Sequence, residues 1–274
     1  VVVPSFQHRM SLTTRKNQVV ILELMGAINF LSSKGLLEQL EEIPKNPNIK
    51  GVILRINSPG GTVGSSQEIY NAILTLRKKG IKIIASMGDM AASGGYYISS
   101  AADEIYANQG TLTGSIGVII HGWDLTEIFK KLGIKSVSIK SGKNKNILSP
   151  FKKMNNDEKE LLLKIVKSTY EQFIKDILKG RGKKVTEKKL REVADGRIFD
   201  GTEAKSYGLV DGLGGLAVAK FRMQELLKTN VDFVKPEQDF ITKMMKNLFR
   251  NRNQSLIFKK LNLQLLYYFG GLIK

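Results

Sequence analysis

Three short apolar runs rich in β-branched residues mark the first third of the chain. Val19-Val20-Ile21-Leu22-Glu23-Leu24, bounded by Gly26, predicts a buried strand. Gly51 to Ile56 predicts a second, which Asn57-Ser58-Pro59-Gly60-Gly61 ends abruptly. Ile81 to Ser86 predicts a third. Between these runs the period becomes helical. Residues 34–43 read as one helix and 65–79 as another, the latter opened by a capping-box pair, Ser65 and Glu68, with Ile69, Ile73, Leu74 and Leu76 on its apolar face. The Ala- and Ser-rich stretch 91–102 predicts a further helix, and 104–107, 117–120 and 136–140 predict short strands. Strands alternating with helices imply an α/β fold on a largely parallel sheet.

Beyond this, 155–179 has a long amphipathic pattern ended by Gly180, and 186–194 a shorter one. A turn-rich stretch, Asp195-Gly196-Arg197-Ile198-Phe199-Asp200-Gly201, leads through a short helix to Gly208-Leu209-Val210-Asp211. No internal repeat stands out. The division expected is a polar tail over 1–17, a core domain over 18–228 and an extension over 229–274. The end of that extension, 241–274, carries Lys and Arg interleaved with Leu, Phe and Tyr and contains no acidic residue. Two readings fit it: a membrane-surface helix, or a helix docked on the core or on a neighbouring subunit.

Composition narrows the chemistry. With 274 residues there is room for one large α/β domain or two small ones, and 42% hydrophobic with 25% charged residues is ordinary for a soluble globular protein. The absence of cysteine excludes disulfides, thiolate metal sites and a cysteine nucleophile. The net charge of +18 points to an anionic partner such as a membrane surface or nucleic acid. The abundance of Lys, Asn and Ile offers a plainer source, a surface drifted toward lysine, and no recognition motif for nucleic acid accompanies the charge. No run of 18 apolar residues predicts a transmembrane helix, and Val1-Val2-Val3-Pro4 is too short for a signal-peptide core. No metal or cofactor is expected.

The candidate nucleophile lies in Met90-Ala91-Ala92-Ser93-Gly94-Gly95-Tyr96-Tyr97. A serine among small residues at a helix start meets unpaired backbone N–H groups and the favourable end of the helix dipole, the setting a tetrahedral oxyanion needs. The same residues also suit a tightly packed core helix. Gly60 and Gly61, at the end of a strand, can adopt positive φ and turn N–H groups outward, though a Pro-Gly-Gly stretch is more often a plain turn. A serine also needs a base. Only His8 and His121 are present, one in the tail and one at the end of an expected strand, so lysine is the remaining option. A free lysine has a pKa of about 10.4, so about one molecule in 2500 is neutral at pH 7, and bringing it to neutrality takes roughly 4.6 kcal/mol. Composition alone does not select the lysine.

A set of ordered motifs carries a family resemblance. Leu54-Arg55-Ile56-Asn57-Ser58-Pro59-Gly60-Gly61, Ala91-Ala92-Ser93-Gly94-Gly95-Tyr96-Tyr97, Thr113-Gly114-Ser115-Ile116-Gly117-Val118, Ser141-Gly142-Lys143-Asn144-Lys145 with Ser149-Pro150, the Asp195-Gly196-Arg197 stretch and Gly208-Leu209-Val210-Asp211 together resemble the signal peptide peptidase A family of serine peptidases, over about residues 18–225. The resemblance implies a ClpP/crotonase-like spiral of ββα units, here with a C-terminal helical extension. It implies Ser93 as nucleophile and Lys145 as general base, with Lys143 the nearby competitor. It further implies Ser115 as a partner of the lysine amine, and the N–H groups of Gly60 or Gly61 and of Gly94 as oxyanion donors. A homo-oligomer with sites near subunit interfaces and hydrophobic peptide substrates such as remnant signal peptides follow from the same likeness; the basic, aromatic composition of the extension adds an expectation of peripheral membrane contact. The rival enzyme reading is a crotonase-like acyl-CoA enzyme, and the non-enzymatic one an inactive membrane-associated scaffold of the same fold.

Overall fold

The computed structural model describes residues 17–236. The elements are β1 (Gln18–Met25), α1 (Phe30–Glu42), β2 (Ile49–Ser58), α2 (Val63–Lys78), β3 (Lys82–Ala92), α3 (Gly94–Ser100), β4 (Glu104–Ala107), β5 (Leu112–Gly114), α4 (Thr126–Lys131), α5 (Asn156–Arg181), α6 (Glu187–Val193), β6 (Ile198–Phe199), α7 (Gly201–Ser206), β7 (Gly212–Leu213), α8 (Leu216–Leu227) and β8 (Asp232–Val234). The strands among the described residues form one sheet in the order β6-β5-β3-β2-β1-β8, with β4 on β3 and β7 on β4. Every pairing is parallel except β5 with β6.

The three apolar runs become the centre of this sheet because their residues are buried on both faces. Val19, Ile21, Ile53 and Ile84 line up across β1, β2 and β3 and pack against Ala219 and Met223 of α8. The alternate set, Val20, Leu22, Val52 and Leu54, points to the opposite face and is equally buried. There α1 and α2 pack on each other and on the sheet. Each such side chain contributes about 1.5–3 kcal/mol of burial. Among the described residues no helix is long and apolar enough to cross a membrane.

Local expectations fared unevenly. The three central strands and β4 lie where the runs place them, but β3 runs on to Ala92, so the helix expected from residue 91 begins only at Gly94. The small residues there extend a strand because β5 pairs with Met90–Ala92. The cap of α2 is Thr62, without a side-chain bond, rather than a Ser65/Glu68 box; the true capping boxes are Asn29 with Ser32 and Asn155 with Glu158. Neither 117–120 nor 136–140 is a strand: those apolar residues lie on a segment with no neighbouring strand to pair with. The sheet also passes residue 228, since β8 pairs with β1. The rest of the expected C-terminal extension lies outside the described residues.

The Gly208–Asp211 motif holds α5 in place. Arg181, at the end of α5, donates to both carboxylate oxygens of Asp211 at 2.7 and 3.1 Å and to the Gly208 carbonyl at 3.0 Å. Burial works to raise the Asp211 carboxyl, but hydrogen bonds from Arg181 and Lys184 outweigh it and hold it below its ordinary value of 3.8. The pair therefore adds stability that is present above about that pH and lost as pH falls through the lower folded value. The Arg181 side chain is 1% exposed, so Asp211→Asn leaves a buried cation short of its counter-charge. The substitution is expected to lower unfolding free energy by about 3 kcal/mol at pH 7 in urea denaturation and to flatten the acid limb of the stability curve.

Candidate active site

Ser93 sits at the sharp turn between β3 and α3, with φ 52° and ψ −118°. A non-glycine residue there is strained and persists only where its surroundings enforce it. The Ser93 N–H donates to the Gly114 carbonyl at 2.8 Å, and its own carbonyl accepts from Tyr97 N at 2.8 Å. The turn is thus tied to β5 on one side and to the first turn of α3 on the other. Ala91, Ala92, Gly94 and Gly95 are buried around it, while Ser93 itself is half-buried. Among the described residues its Oγ has no hydrogen-bond partner.

Behind α3 lies a polar cluster that the sequence pattern does not mark. Tyr97 OH donates to the Asp176 carboxylate of α5, Gln172 Nε2 donates to the same carboxylate at 3.0 Å, and Tyr70 OH of α2 donates to the Asp176 carbonyl at 2.6 Å. Burial, then the bond to Asp176, pushes the Tyr97 phenol up, so it stays protonated as a donor. The cluster fastens α3, the helix that follows Ser93, to α2 and α5.

The glycine loop crosses close to Ser93. Gly60 has φ +100°, and a Cβ there would lie 2.7 Å from Gly94 N and 2.8 Å from Ser93 Cβ. Its carbonyl accepts from Ile28 N at 2.8 Å, and Thr62 N donates to the Ile28 carbonyl at 2.9 Å. Gly61 is packed so closely that a Cβ would stand 1.9 Å from the Ile28 oxygen. Of the three glycine N–H groups expected as donors, that of Gly60 is already engaged, donating to Ser58 Oγ at 3.1 Å. Those of Gly61 and Gly94 have no partner among the described residues. Gly61 N lies 3.3 Å from where a Cβ on Gly94 would be, so the two groups are neighbours.

Two side chains of the turn motif brace these loops, a role that turn chemistry alone did not reveal. Asn57 Oδ1 accepts from Met90 N at 3.0 Å and its Nδ2 donates to Asp89 at 3.3 Å. It thereby spans the irregularity in β3, where the register with β2 jumps between Ile56/Met87 and Ser58/Ala91. Ser58 holds Gly60. Ser115 follows β5 at φ 49° and is tied by its N–H to the Arg197 carbonyl at 2.7 Å. Ala92 pairs with Gly114, so Ser93 and Ser115 each follow the last paired residue of their strands. The Asp195–Arg197 stretch thus acts through its backbone, as the brace for Ser115.

Lys145 is not brought to Ser93 within one chain by any hydrogen bond. It lies exposed in a turn closed by its own N–H to the Gly142 carbonyl at 3.1 Å. Its neighbours are all occupied: Lys140 Nζ donates to the Lys143 carbonyl and to Asn146 Oδ1 at 2.8 and 2.6 Å, Lys143 faces Asp157 at 3.7 Å, and Lys152 pairs with Glu158. Among the described residues the Lys145 ammonium has no carboxylate or carbonyl partner. No residue of the segment 118–155 is buried, and apolar side chains on it are exposed: Ile119, Trp123, Val137 and Ile139 are 82%, 71%, 84% and 99% exposed. His121 is exposed, edge-on to Trp123 at 5.1 Å, and borders a cavity of about 380 Å³ between this segment and α5, away from the glycine loop. His8 lies outside the described residues. Among the described residues no cluster of His, Asp or Glu could hold a metal.

This arrangement has known relatives. The model of "Peptidase family S49" matches residues 75–230, and that of "Clp protease" residues 7–112. A Synechocystis sp. protein named "Putative protease slr0021" is 41% identical over 202 residues, 74% of this chain and 72% of that one. An Enterococcus faecium protein named "Putative signal peptide peptidase SppA" is 40% identical over 181 residues, 66% of this chain, which spans about half, 52%, of that relative's length. Among solved structures, a point mutant of the "1510-N membrane-bound stomatin-specific protease" aligns with TM-score 0.53 over 82% of this chain and 100% of that one; at 16% identity the likeness is one of fold. With a Clp protease-like α/β fold and a family match over more than half its length, the chain belongs to peptidase family S49, the serine-type peptidases.

Proposed function

We propose that the protein is an endopeptidase in which Ser93 is the nucleophile, Lys145 the general base and the N–H groups of Gly61 and Gly94 the oxyanion donors. The observation that carries this is the strained Ser93 turn, its Oγ unpaired, with the neighbouring N–H groups of Gly61 and Gly94 also unpaired among the described residues. Ser93 Oγ attacks the scissile carbonyl carbon as its proton passes to Lys145 Nζ, and the oxyanion forms between the two donors. The C–N bond then breaks, Lys145 protonates the leaving amine, and water hydrolyses the serine ester by the same proton relay. Lys145 is favoured over Lys143 because Lys143 faces Asp157 at 3.7 Å, whereas Lys145 Nζ has no carboxylate partner among the described residues. Ser115, which follows β5 where β5 pairs with the strand leading to Ser93, is the proposed acceptor of a hydrogen bond from the amine.

A second copy of the chain completes this site in our reading. The exposed apolar segment carrying Lys145 needs a covering surface, and burial there would favour the neutral amine. Apolar peptides, remnant signal peptides among them, are the proposed substrates. Met25, Phe30, Leu31 and Val63 flank the glycine loop as exposed hydrophobics, which suits apolar side chains of a bound peptide. We place the peptidase domain from residue 18 to the end of β8, with a basic extension beyond it for docking on a neighbour or a membrane surface. A fluorophosphonate probe on the assembled protein is expected to label Ser93 alone, and an apolar fluorogenic peptide to be cleaved only by the unlabelled form. Turnover of acyl-CoA that survives Ser93→Ala would overturn the reading in favour of a crotonase-like enzyme, and absence of any labelling in favour of an inactive scaffold.

A further inference from the structure

Ser58 ends β2 fully buried, and its hydroxyl has no place in the proton relay. Its Oγ accepts the Gly60 N–H at 3.1 Å. The Gly60 carbonyl, on the other side of the same residue, accepts from Ile28 N at 2.8 Å. Gly60 is thus held from both ends, although a glycine at φ +100° has a wide choice of alternatives. The planar trans peptide that follows puts the Gly61 N–H opposite the Gly60 carbonyl. With that carbonyl aimed at Ile28, the Gly61 N–H points away from the 26–29 segment, and Gly61 N lies 3.3 Å from the position of a Cβ on Gly94. One buried hydroxyl therefore anchors the residue immediately before a proposed oxyanion donor.

We infer that Ser58 is a positioning residue for oxyanion stabilisation: by holding the Gly60 N–H inward, its Oγ fixes the orientation of the Gly61 N–H over Ser93. The inference rests on the reading of Gly61 and Gly94 as donors. Without the hydroxyl, the Gly60 N–H is orphaned, and the Pro59–Gly60 peptide turns over to find a partner. The Gly61 N–H then loses its direction while the apolar surroundings that bind a peptide stay in place. The expected result is a loss in turnover with little change in KM.

The test uses the full chain in its assembled form with an apolar fluorogenic peptide. Sites are titrated with a fluorophosphonate, so that kcat is expressed per reactive Ser93. Ser58→Ala is expected to lower kcat by about 10- to 100-fold, short of or equal to the loss of a whole donor, with KM within about twofold. A peptide aldehyde, which forms a tetrahedral adduct, should bind more weakly by a similar factor. Ser58→Thr, which keeps the hydroxyl, should recover turnover. Ser58→Cys keeps the volume with a poorer acceptor and replaces the alanine variant if that one does not fold. A purely structural Ser58 would lower the melting temperature and the titratable fraction, but leave kcat per titrated site and aldehyde affinity unchanged. That result, or a change in KM alone, overturns the positioning role. Hydrolysis that survives Ser93→Ala overturns the underlying reading instead, whatever Ser58 does.

Discussion

Lys145→Ala is expected to lower kcat/KM by about 10³-fold or more, with Lys143→Ala within about twofold of the parent. General-base catalysis contributes typically about 10²–10⁴-fold, and a serine without a base is a poor nucleophile at neutral pH. The contrast between two lysines two positions apart is the informative part. Lys143 faces Asp157 at 3.7 Å, whereas the Lys145 ammonium is unpaired among the described residues. Ser93→Ala should cost at least as much, since nucleophile and base act as a unit and their losses do not add. Mixing the two variants tests the assembly. If each site takes its serine from one subunit and its lysine from the next, an equimolar mixture should regain roughly a quarter of parental activity, because an interface with both intact partners forms by chance at that frequency. Steady-state hydrolysis by the separate and co-assembled variants measures all of this. No recovery would place both residues of the dyad within one subunit.

Gly61→Ala should be nearly as damaging, for a steric reason. A Cβ at Gly61 would stand 1.9 Å from the Ile28 carbonyl oxygen and 2.7 Å from Ile28 N and C, all of them backbone atoms. No rotamer change relieves such a contact, so the glycine loop must move away from the 26–29 segment. The loop also carries the proposed donor, and displacing one donor costs about 10²–10³ in kcat. Forcing the loop apart adds a stability loss of about 1–3 kcal/mol. Gly64, three residues on in α2, has nothing within 4 Å of its missing Cβ. Gly64→Ala is therefore the control, expected to be neutral or stabilising by up to about 1 kcal/mol. Peptide hydrolysis and thermal unfolding of the two variants separate the site effect from the general effect of adding a methyl group.

The two glycines also show what was legible in advance. Their place after a buried strand marked them as a turn able to expose N–H groups. Which N–H stays free was not legible, because it depends on the Ser58 hydroxyl, the Ile28 backbone and the planarity of one peptide. Ser93 was singled out by its small neighbours and by the family motif. Its strained backbone was not, since the turn is held by β5, only three residues long, which pairs alongside Ala92 and accepts the Ser93 N–H. Asn57 and Ser58 were quoted as part of a motif and read as turn residues, though their side chains support both loops of the site. Asp176 left no signal at all: one acid on a long amphipathic helix looks like any solvated charge until Tyr97 is found against it.

By itself the sequence determined the α/β class, the central strands, the long α5 helix and the family, because buried strands and amphipathic helices carry their period locally and ordered motifs keep their spacing. Tertiary structure alone decided that 117–120 and 136–140 are not strands, that β8 joins the sheet past residue 228, and that Gly61 rather than Gly60 keeps an unpaired N–H. Each of these depends on whether a partner lies alongside, and hydrogen-bond partners brought together from distant parts of the chain leave no trace in local hydrophobic pattern.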